Sequence, residues 1–432
     1  DNDFPYNLYG GQQDNTSVKI ASASPGGITE RDWYDIGGCE SAVPAFDPDH
    51  PRFVYAGCYM GLIDEFDMET KTTRDVMAYP QMPTAVPPRD MKYRFNWSAP
   101  IVVSKFDGNV IYHGGSQLLR SDNRGKTWRE VSPDLTRNDK SKQGPGGQPI
   151  TNEGAGGETY GTIEYIAESP HDAGTIWVGT DDGYVQVTRD GGKTWSNVTP
   201  PSVGESLVNA IEVSPHNAAT AYVAITRYKF NDFTPHVFKT TDYGKTWTRL
   251  VEGIEPEAWV HVVREDPVRK DLLYLGTETG FYISYDGGRK WTKFQLNLPV
   301  TPITDLKIHH GDLLASTAGR AFWILDDIAA LEQWTEPLAK AEIHWNWLSG
   351  SARMGRAGVS AVRSSIVHTI PSLMVLKTRE PWCRTGLPLS TSMWTSCPVS
   401  TFLTVYWRGS PSSRSVDTHA THGQSPTGSA AC

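Results

Sequence analysis

The sequence has no long apolar run and no excess of basic residues. No stretch of about 18 consecutive apolar residues occurs, which argues against a membrane-spanning helix. Lysine and arginine together number 40 against 49 acidic residues, so the formal net charge is −9. A nucleic-acid-binding surface would need a clustered basic face. We therefore predict neither a membrane span nor a nucleic-acid partner.

Cysteine is scarce, and no two of its five copies are closely spaced. Cys39 and Cys58 lie in the first part of the chain, and Cys383, Cys397 and Cys432 lie near its end. This spacing favours isolated thiols. A Cys39–Cys58 disulfide is the minority interpretation.

The motifs of metal, phosphate and serine-nucleophile sites are also missing. Twelve histidines are present, but none has the His-x-His or His-Glu-x-x-His spacing of a metal site. Gly-x-Ser-x-Gly does not occur. The glycine-rich insertion at 134–162 lacks the Gly-Lys-Ser/Thr ending of a phosphate-binding loop. We predict no metal and no cofactor.

One eight-residue pattern is present four times, at 121–128, 188–195, 240–247 and 284–291. Its acidic or amide side chain can accept hydrogen bonds from backbone N–H groups further along, and its glycine can adopt a positive φ. Its tryptophan begins the returning strand and supplies a large apolar ring. The pattern therefore predicts a self-fastened hairpin turn. The structural positions are Ser121, Asn123, Gly125, Trp128, Thr188, Asp190, Gly192, Trp195, Thr240, Asp242, Gly244, Trp247, Ser284, Asp286, Gly288 and Trp291.

A second repeated phrase, a short turn and then an apolar strand with one aromatic residue, sets the period of the chain. The aromatic positions Tyr55, Tyr112, Trp177, Tyr222 and Tyr274 follow one another at intervals of 45 to 65 residues. A four-stranded propeller blade takes roughly 40–50 residues. We therefore predict an all-β fold, a β-propeller of four-stranded antiparallel blades, most simply seven or part of a larger ring. The blades are expected near 41–80, 97–131, 164–198, 209–250, 262–295 and 303–334, with a partial blade at 1–20.

The chain changes character after about residue 341. Only three of its 49 acidic residues lie beyond that point, and the repeated phrases stop. We predict one propeller domain at 1–340 and an irregular segment at 341–432. That segment is either a poorly patterned tail or not the natural continuation, for instance after a frame shift, and the abrupt change favours the second. Because the chain opens at Asp1 without a signal peptide, we also expect a mature or truncated chain.

The fourfold pattern resembles the Asp-box, or BNR repeat, of sialidases, sortilin-like receptors and xyloglucan-cleaving glycoside hydrolases. Residues 2–15, 179–183 and 319–327 further resemble bacterial secreted proteins of the sortilin-like and BNR-repeat glycosyl hydrolase-like kinds. The resemblance covers about residues 1–340 and is specific for the fold. In those families the Asp-boxes lie away from the ligand-binding face, so the resemblance implies the same position for the four turns of this chain. It also implies a secreted, periplasmic or cell-surface location and family members longer than this chain.

Acidic residues outside the boxes are the candidates for chemistry. Glycoside hydrolysis needs one protonated and one ionised carboxyl group. Asp35 and Glu40, which bracket a glycine pair, are the catalytic candidates. For each single residue a role in a turn or at a strand end is the commoner use. The ligand-binding candidates are Gln13, Asp14, Asn15, Trp97, Glu158, Asp181 and Asp182.

The sequence leaves two functions open. The first is an extracytoplasmic recognition module that binds a peptide or glycan through non-repeating loops on one face. The second is a BNR-type glycoside hydrolase that acts on a polysaccharide such as a β-glucan or xyloglucan. We favour the first because no paired-carboxylate motif can be placed on the sequence. The insertion at 134–162 is equally compatible with a functional and a disordered loop.

Overall fold

The structure is a computed structural model that describes residues 1–81, 86–151, 157–335, 343–344, 364–365 and 407–409. Within these residues, seven antiparallel sheets of three or four strands follow one another along the chain. The innermost strands of neighbouring sheets pack side by side, and the seventh sheet shares a core with the first. The sheets therefore close into a ring. The predicted all-β, seven-bladed propeller is confirmed.

The blades are numbered I to VII in chain order, and each of blades II to VII runs from its innermost to its outermost strand. The three strands of blade I correspond to the second, third and fourth strands of the other blades, because Gly11 packs against the residues that lead into blade II, as Gly57 and Gly179 pack against the first strand of the next blade. Blades I to III contain β1 (Asn7–Gly11), β2 (Ser17–Ala21), β3 (Trp33–Asp35); β4 (Ala45–Phe46), β5 (Phe53–Cys58), β6 (Leu62–Asp67), β7 (Thr72–Asp75); and β8 (Ile101–Val103), β9 (Ile111–Gly114), β10 (Leu118–Ser121), β11 (Arg129–Glu130). Blades IV and V contain β12 (Ile163–Glu168), β13 (Ile176–Thr180), β14 (Val185–Thr188), β15 (Ser196–Asn197); and β16 (Leu207–Val213), β17 (Ala221–Arg227), β18 (Asp232–Thr240), β19 (Thr248–Arg249). Blades VI and VII contain β20 (Val260–Glu265), β21 (Leu273–Thr277), β22 (Gly280–Ser284), β23 (Thr292–Lys293); and β24 (Ile303–His309), β25 (Asp312–Thr317), β26 (Phe322–Leu325).

Helical structure is minor. The described part of the chain has one short α-helix, α1 (Ala329–Gln333), which follows the last complete hairpin. Six single turns of 3₁₀-helix lie in the loops, at Glu30–Asp32, Tyr59–Gly61, Pro88–Asp90, Lys140–Lys142, Pro145–Gly147 and Tyr228–Phe230.

The core lies between the blades. Every residue of the second strands β13 and β21 is buried, whereas the outermost strands β15, β19 and β23 are exposed throughout. A strand that is covered on both faces must be apolar on both faces, which is why the second strands read as continuous apolar runs. The apolar phrase in the sequence thus marks the second strand of each blade.

Hydroxyl, carboxylate and glycine fasten each repeated turn. In the turn at 188–195 the Gly192 N–H donates to Thr188 Oγ1 at 2.9 Å, and the Thr194 N–H donates to Asp190 Oδ1 at 2.9 Å. The Thr194 hydroxyl also donates to Asp190 Oδ2 at 2.7 Å, and these hydrogen bonds from the Thr194 hydroxyl and N–H lower the pKa of Asp190 to about 2. Gly192 has φ +94°, as the turn requires. The other three turns make the same two backbone bonds.

The tryptophan of each turn also ties its blade to the one before it. The Trp195 indole N–H donates to the Val131 carbonyl at 3.0 Å, and Trp247 bonds Val198 at 2.7 Å in the same way. Trp128 and Trp291 make the equivalent bonds. Three of these rings are half-buried, and Trp291 is buried. The ring therefore packs as predicted and, in addition, forms a link between neighbouring blades.

The expectation of isolated thiols is wrong for the first two cysteines. Cys39 and Cys58 form a disulfide with a Cα–Cα separation of 5.1 Å. Cys58 ends β5, and Cys39 lies in the connection from β3 to β4, where the Cys39 N–H donates to the Gly57 carbonyl at 3.1 Å. Backbone contact across the blade thus brings the two thiols together, which their spacing alone does not reveal.

Side chains of blades I and VII close the ring. The Tyr6 hydroxyl donates to Asp312 at 2.8 Å, and His309 bonds the Asp1 carbonyl at 2.6 Å. The Tyr6 and His309 rings meet edge-on with centroids 5.1 Å apart. The sheet of blade I includes β3, which lies beyond the range 1–20 suggested by the sequence.

The irregular segment predicted at 341–432 lies outside the described residues except for three short strands. These are β27 (Ile343–His344), β28 (Ser364–Ser365) and β29 (Trp407–Gly409). β27 pairs with β28, and β29 pairs antiparallel with β26 as the fourth strand of blade VII. Cys383, Cys397 and Cys432 also lie outside the described residues.

Candidate functional site

The strand order separates two faces of the ring. Because neighbouring strands are antiparallel, the turns from second to third strand and the connections from one blade to the next lie on one face, here called the upper face. The four repeated turns join third and fourth strands and lie on the opposite face. All nine candidates named from the sequence belong to upper-face loops or strand ends, so the repeated aspartates lie away from them.

A pair of buried carboxyl groups marks the upper end of blade IV. Asp181 and Asp182 follow β13 and are 6% and 1% exposed. Asp181 accepts hydrogen bonds from the Thr162 N–H at 2.7 Å and from Asn96 Nδ2 at 3.2 Å. Asp182 accepts from the Thr180 hydroxyl at 2.6 Å. Burial raises the pKa of both carboxyl groups, and Asp182 raises that of Asp181 further.

A third carboxyl group, that of Glu164, joins this pair from the innermost strand. Glu164 sits at a β-bulge, where the pairing of β12 with β13 shifts between Ile163 and Tyr165. Its Oε2 is shielded from solvent and has no hydrogen-bond partner within the described part of the chain. Burial, followed by the charge of Asp181, raises the pKa of Glu164 to about 8. Glu164 therefore keeps its proton at neutral pH.

The same bulge recurs in blades V, VI and VII and places one polar side chain of each at the mouth of the central channel. The bulged residues are Asn209, His261 and Thr304. His261 Nε2 lies 2.8 Å from a carboxylate oxygen of Glu278, and Asn209 Nδ2 lies 3.4 Å from His261 Nδ1. Together with Glu164 they form a polar arc, here called the channel mouth.

An ion-pair network around the buried Arg264 links three blades below the channel mouth. Arg264 of blade VI donates to the Tyr165 hydroxyl of blade IV at 3.0 Å and to Asp305 of blade VII at 2.6 Å. Blades IV and VI are not neighbours, so the Tyr165–Arg264 bond crosses the channel. The channel mouth therefore lies on the upper-face side of this bond.

Two stacked aromatic rings stand next to the carboxyl cluster. Tyr59 lies in the upper turn of blade II, and Trp97 lies in the connection to blade III. Their ring centroids are 4.9 Å apart with an interplanar angle of 14°, and both side chains are half-buried. Trp97 follows Asn96, whose amide binds Asp181. The structure therefore brings the candidates Trp97, Asp181 and Asp182 together.

The insertion at 134–162 folds over this end of the ring. Its Arg137 donates to the Asp182 backbone carbonyl at 2.6 Å, and its Tyr160 donates to Glu205 at 2.8 Å. Lys142 forms an ion pair with Glu205 as well. The described part of the insertion is thus bonded to blades IV and V, and residues 152–156 lie outside the described residues. Glu158 belongs to the same insertion and is half-buried beside Gly147.

The remaining sequence candidates lie at blade I, away from the carboxyl cluster. Glu40 Oε2 accepts from Gln13 Nε2 at 3.0 Å and from the Asp14 N–H at 2.5 Å, so it supports the β1–β2 turn. Asn15 is exposed in the same turn. Asp35 is exposed and accepts from the Gly37 N–H at 2.8 Å. These hydrogen bonds support the local turns. A catalytic role of Asp35 and Glu40 stays a prediction.

Comparison with known proteins gives one sequence relative and several structural ones. No family model matches the chain. The probable oligoxyloglucan-reducing end-specific xyloglucanase of Neosartorya fischeri is 25% identical over 244 residues, which are 46% of this chain and 27% of that protein. The chain therefore spans only about a quarter of the relative's length.

The structural relatives support the propeller. The GH74 xyloglucanase from Xanthomonas campestris superposes with a TM-score of 0.53 at 16% identity, covering 77% of this chain and 51% of that one. The structure of YCF48 bound to D1 peptide matches 71% of this chain and 86% of YCF48 at 15% identity, with a lower TM-score of 0.44. At such identities the first likeness shows the fold alone.

Sequence reasoning missed Glu164, Asn209 and His261. A signal was present, because the innermost strands of blades IV to VII carry a polar residue where a doubly covered strand would be apolar. Those polar residues face the channel through the bulge. No helix within the described residues is long and apolar enough to cross a membrane. Those residues also hold no cluster of three metal-binding side chains.

Proposed function

We propose that the channel mouth binds a neutral glycan on the upper face. The observation that carries the proposal is the carboxyl cluster of the half-buried Glu164 and the buried Asp181 and Asp182 beside the stacked Tyr59–Trp97 pair. Protonated carboxyl groups both donate and accept hydrogen bonds and so suit sugar hydroxyls. Aromatic rings offer the apolar surface on which the C–H face of a pyranose packs.

Three further observations support the binding of a glycan outside the cytoplasm. The sequence relative is named for an enzyme that acts on xyloglucan, a neutral polysaccharide. The Tyr165–Arg264 bond spans the channel below the mouth, which favours a glycan chain that lies across the upper face. The Cys39–Cys58 disulfide is typical of proteins in oxidising compartments, which favours a secreted, periplasmic or cell-surface location.

Hydrolysis of the bound glycan is the second candidate. A general acid must hold a proton near neutral pH, and Glu164, with a pKa of about 8, meets this requirement. The reaction also needs an ionised carboxylate. Glu278, whose Oε2 lies 2.8 Å from His261 Nε2, is the second carboxyl group at the same mouth.

The binding proposal is tested by calorimetric titration of the purified protein with xyloglucan oligosaccharides and β-glucan oligosaccharides. We expect Asp181→Asn and Glu164→Gln to weaken binding about tenfold or more, which corresponds to about 1.4 kcal/mol. Glu168→Gln is the matched control, because Glu168 is a buried carboxyl at the other end of β12 that is bonded to Ser104. A wild-type protein that binds none of these glycans, or variants that bind as well as the control, would contradict the proposal.

The choice between a recognition module and a hydrolase requires a measurement of new reducing ends with the same glycans. Wild-type turnover that disappears in Glu164→Gln at glycan concentrations that saturate both proteins would establish the hydrolase. Binding without turnover in the wild type would establish the recognition module. Asp35→Asn and Glu40→Gln belong in the same assay, because a loss of turnover in either would place the chemistry at blade I.

A further inference from the structure

A second group of aromatic side chains lies across the channel mouth from Tyr59 and Trp97. Tyr228 and Phe233 are 41% and 40% exposed, and both rings contact the half-buried Trp259. The Tyr228 and Trp259 rings are stacked with centroids 6.4 Å apart, and the Phe233 and Trp259 centroids are 5.2 Å apart. These three residues are here called the blade V/VI platform.

The platform occupies connections equivalent to those that hold the first pair. Tyr228 and Phe233 belong to the upper turn of blade V, and Trp259 precedes the first strand of blade VI. Tyr59 and Trp97 come from the upper turn of blade II and the connection into blade III. The carboxyl cluster of blade IV lies between these two sets in the ring. Two aromatic surfaces therefore flank the acidic groups on the same face.

Contacts join the platform to the channel mouth. The Trp259 carbonyl accepts from the Glu278 N–H at 3.0 Å, and Trp259 stands two residues before His261. Lys229, which follows Tyr228, is close enough for its charge to lower the pKa of both Glu164 and Asp181. A ligand that touches the platform is thus within reach of the polar arc.

The platform exposes large aromatic rings that a folded protein usually buries. A soluble protein gains by burying large aromatic rings, and contiguous exposed aromatic surface is characteristic of ligand-binding sites. Because Tyr228 and Phe233 both already contact Trp259, their side chains are ordered before a ligand arrives. Such pre-organisation reduces the entropy lost on binding.

We propose that the blade V/VI platform is a second sugar subsite for a linear, gluco-configured glycan that also occupies the first pair. A pyranose with equatorial hydroxyl groups presents flat C–H faces for the rings, while its hydroxyl edge meets the polar arc. The glycan chain then runs from Tyr59 and Trp97, over Asp181 and Glu164, to Trp259. This assignment rests on the proposed function and extends it from one sugar to a chain.

The test is a calorimetric titration with β-linked gluco-oligosaccharides of two to six units, for the wild type and the variant Tyr228→Ala,Phe233→Ala. Both side chains are exposed, so the fold should tolerate their removal. We expect wild-type affinity to rise with chain length. We expect the variant to bind the longest oligosaccharide about tenfold more weakly and to bind the disaccharide like the wild type.

Phe106→Ala is the matched control. Phe106 is 49% exposed in the turn between the first and second strands of blade III, on the opposite face, and its removal should leave every affinity unchanged. Wild-type binding that is independent of length, or a double variant that binds like the Phe106 control, would overturn the second subsite while leaving the channel mouth intact. A wild type that binds no oligosaccharide would instead overturn the proposed function itself.

Discussion

At the scale of single residues, Glu164 shows how position changes the chemistry of a side chain. In a regular strand its side chain would point to the side opposite those of its two neighbours. The bulge in β12 instead directs the side chain toward the channel mouth. There burial and the nearby Asp181 favour its protonated form. The same residue type at Glu69 has a side chain that is 67% exposed and pairs with Arg52.

The raised pKa of Glu164 predicts a pH-dependent stability. The folded state holds this proton up to about pH 8, whereas an unfolded glutamate loses it near pH 4.5. Between these values the folded state binds more protons, so stability falls as the pH rises. We expect Glu164→Gln to raise the melting temperature by several degrees at pH 8 and to change it little at pH 5.

Thermal denaturation monitored by circular dichroism at both pH values checks this expectation. A difference between variant and wild type that is the same at pH 5 and pH 8 would contradict it, because a packing change has no such pH dependence. Glycan affinity should also weaken above about pH 8, where Glu164 loses its proton and can no longer donate.

At the scale of elements, the repeated turns are locally encoded. All their fastening groups lie within eight residues, and the indole bond links each turn to the blade before it. The natural Asn123 turn shows which atoms matter. Asn123 Oδ1 accepts from the Thr127 N–H at 2.9 Å, and its Nδ2 lies 2.9 Å from the Thr127 hydroxyl. An amide therefore replaces the carboxylate without loss of either contact.

This comparison predicts different outcomes for two substitutions at Asp190. Asp190→Ala removes the acceptor for the Thr194 N–H and should lower the melting temperature. Asp190→Asn can keep both contacts, as Asn123 does, and should be close to wild type at neutral pH. Thermal denaturation of the two variants measures the difference, and glycan affinity should be unchanged in both. Equal destabilisation by Ala and Asn would show that the charge, not the hydrogen bonds, holds the turn.

Gly179 in β13 is required for a close approach of neighbouring blades. A Cβ there would lie 2.7 Å from Val208 Cβ in the first strand of blade V. We expect Gly179→Ala to destabilise the fold by about 1–3 kcal/mol. Gly174→Ala is the control, because the nearest atom to a Cβ at that position is 3.4 Å away. Urea denaturation gives both values, and similar stabilities for the two variants would contradict the packing argument.

At the scale of the whole molecule, closure of the ring depends on tertiary contacts. The bonds from Tyr6 to Asp312 and from His309 to Asp1 join residues about 300 positions apart in the chain. Closure also fixes which loops surround the mouth, because it brings blades II to VI into one arc. The number of blades was predictable from the period, but the contacts that close the ring were not.

The disulfide contributes to the stability of blade II at this scale. It links residues 19 positions apart, and such a cross-link contributes about 2–4 kcal/mol by restricting the unfolded chain. We expect reduction, or the double substitution Cys39→Ser,Cys58→Ser, to lower the free energy of unfolding by that amount. Urea denaturation with and without reductant measures it. A reductant effect that persists in the double variant would locate the sensitivity elsewhere.

The sequence by itself determined the repeated turns, the blade period and hence the all-β propeller, because these depend on hydrogen bonds and apolar patterns within one blade. It also placed Trp97, Asp181 and Asp182 among the candidates, because each lies in a non-repeating loop. Only the tertiary structure decided that Asp181 lies near Glu164 and Asn96, and that Cys39 meets Cys58. Burial of a carboxyl group depends on neighbouring strands and blades, and a bulge that turns a side chain into the channel depends on strand register, neither of which is a local property of the chain.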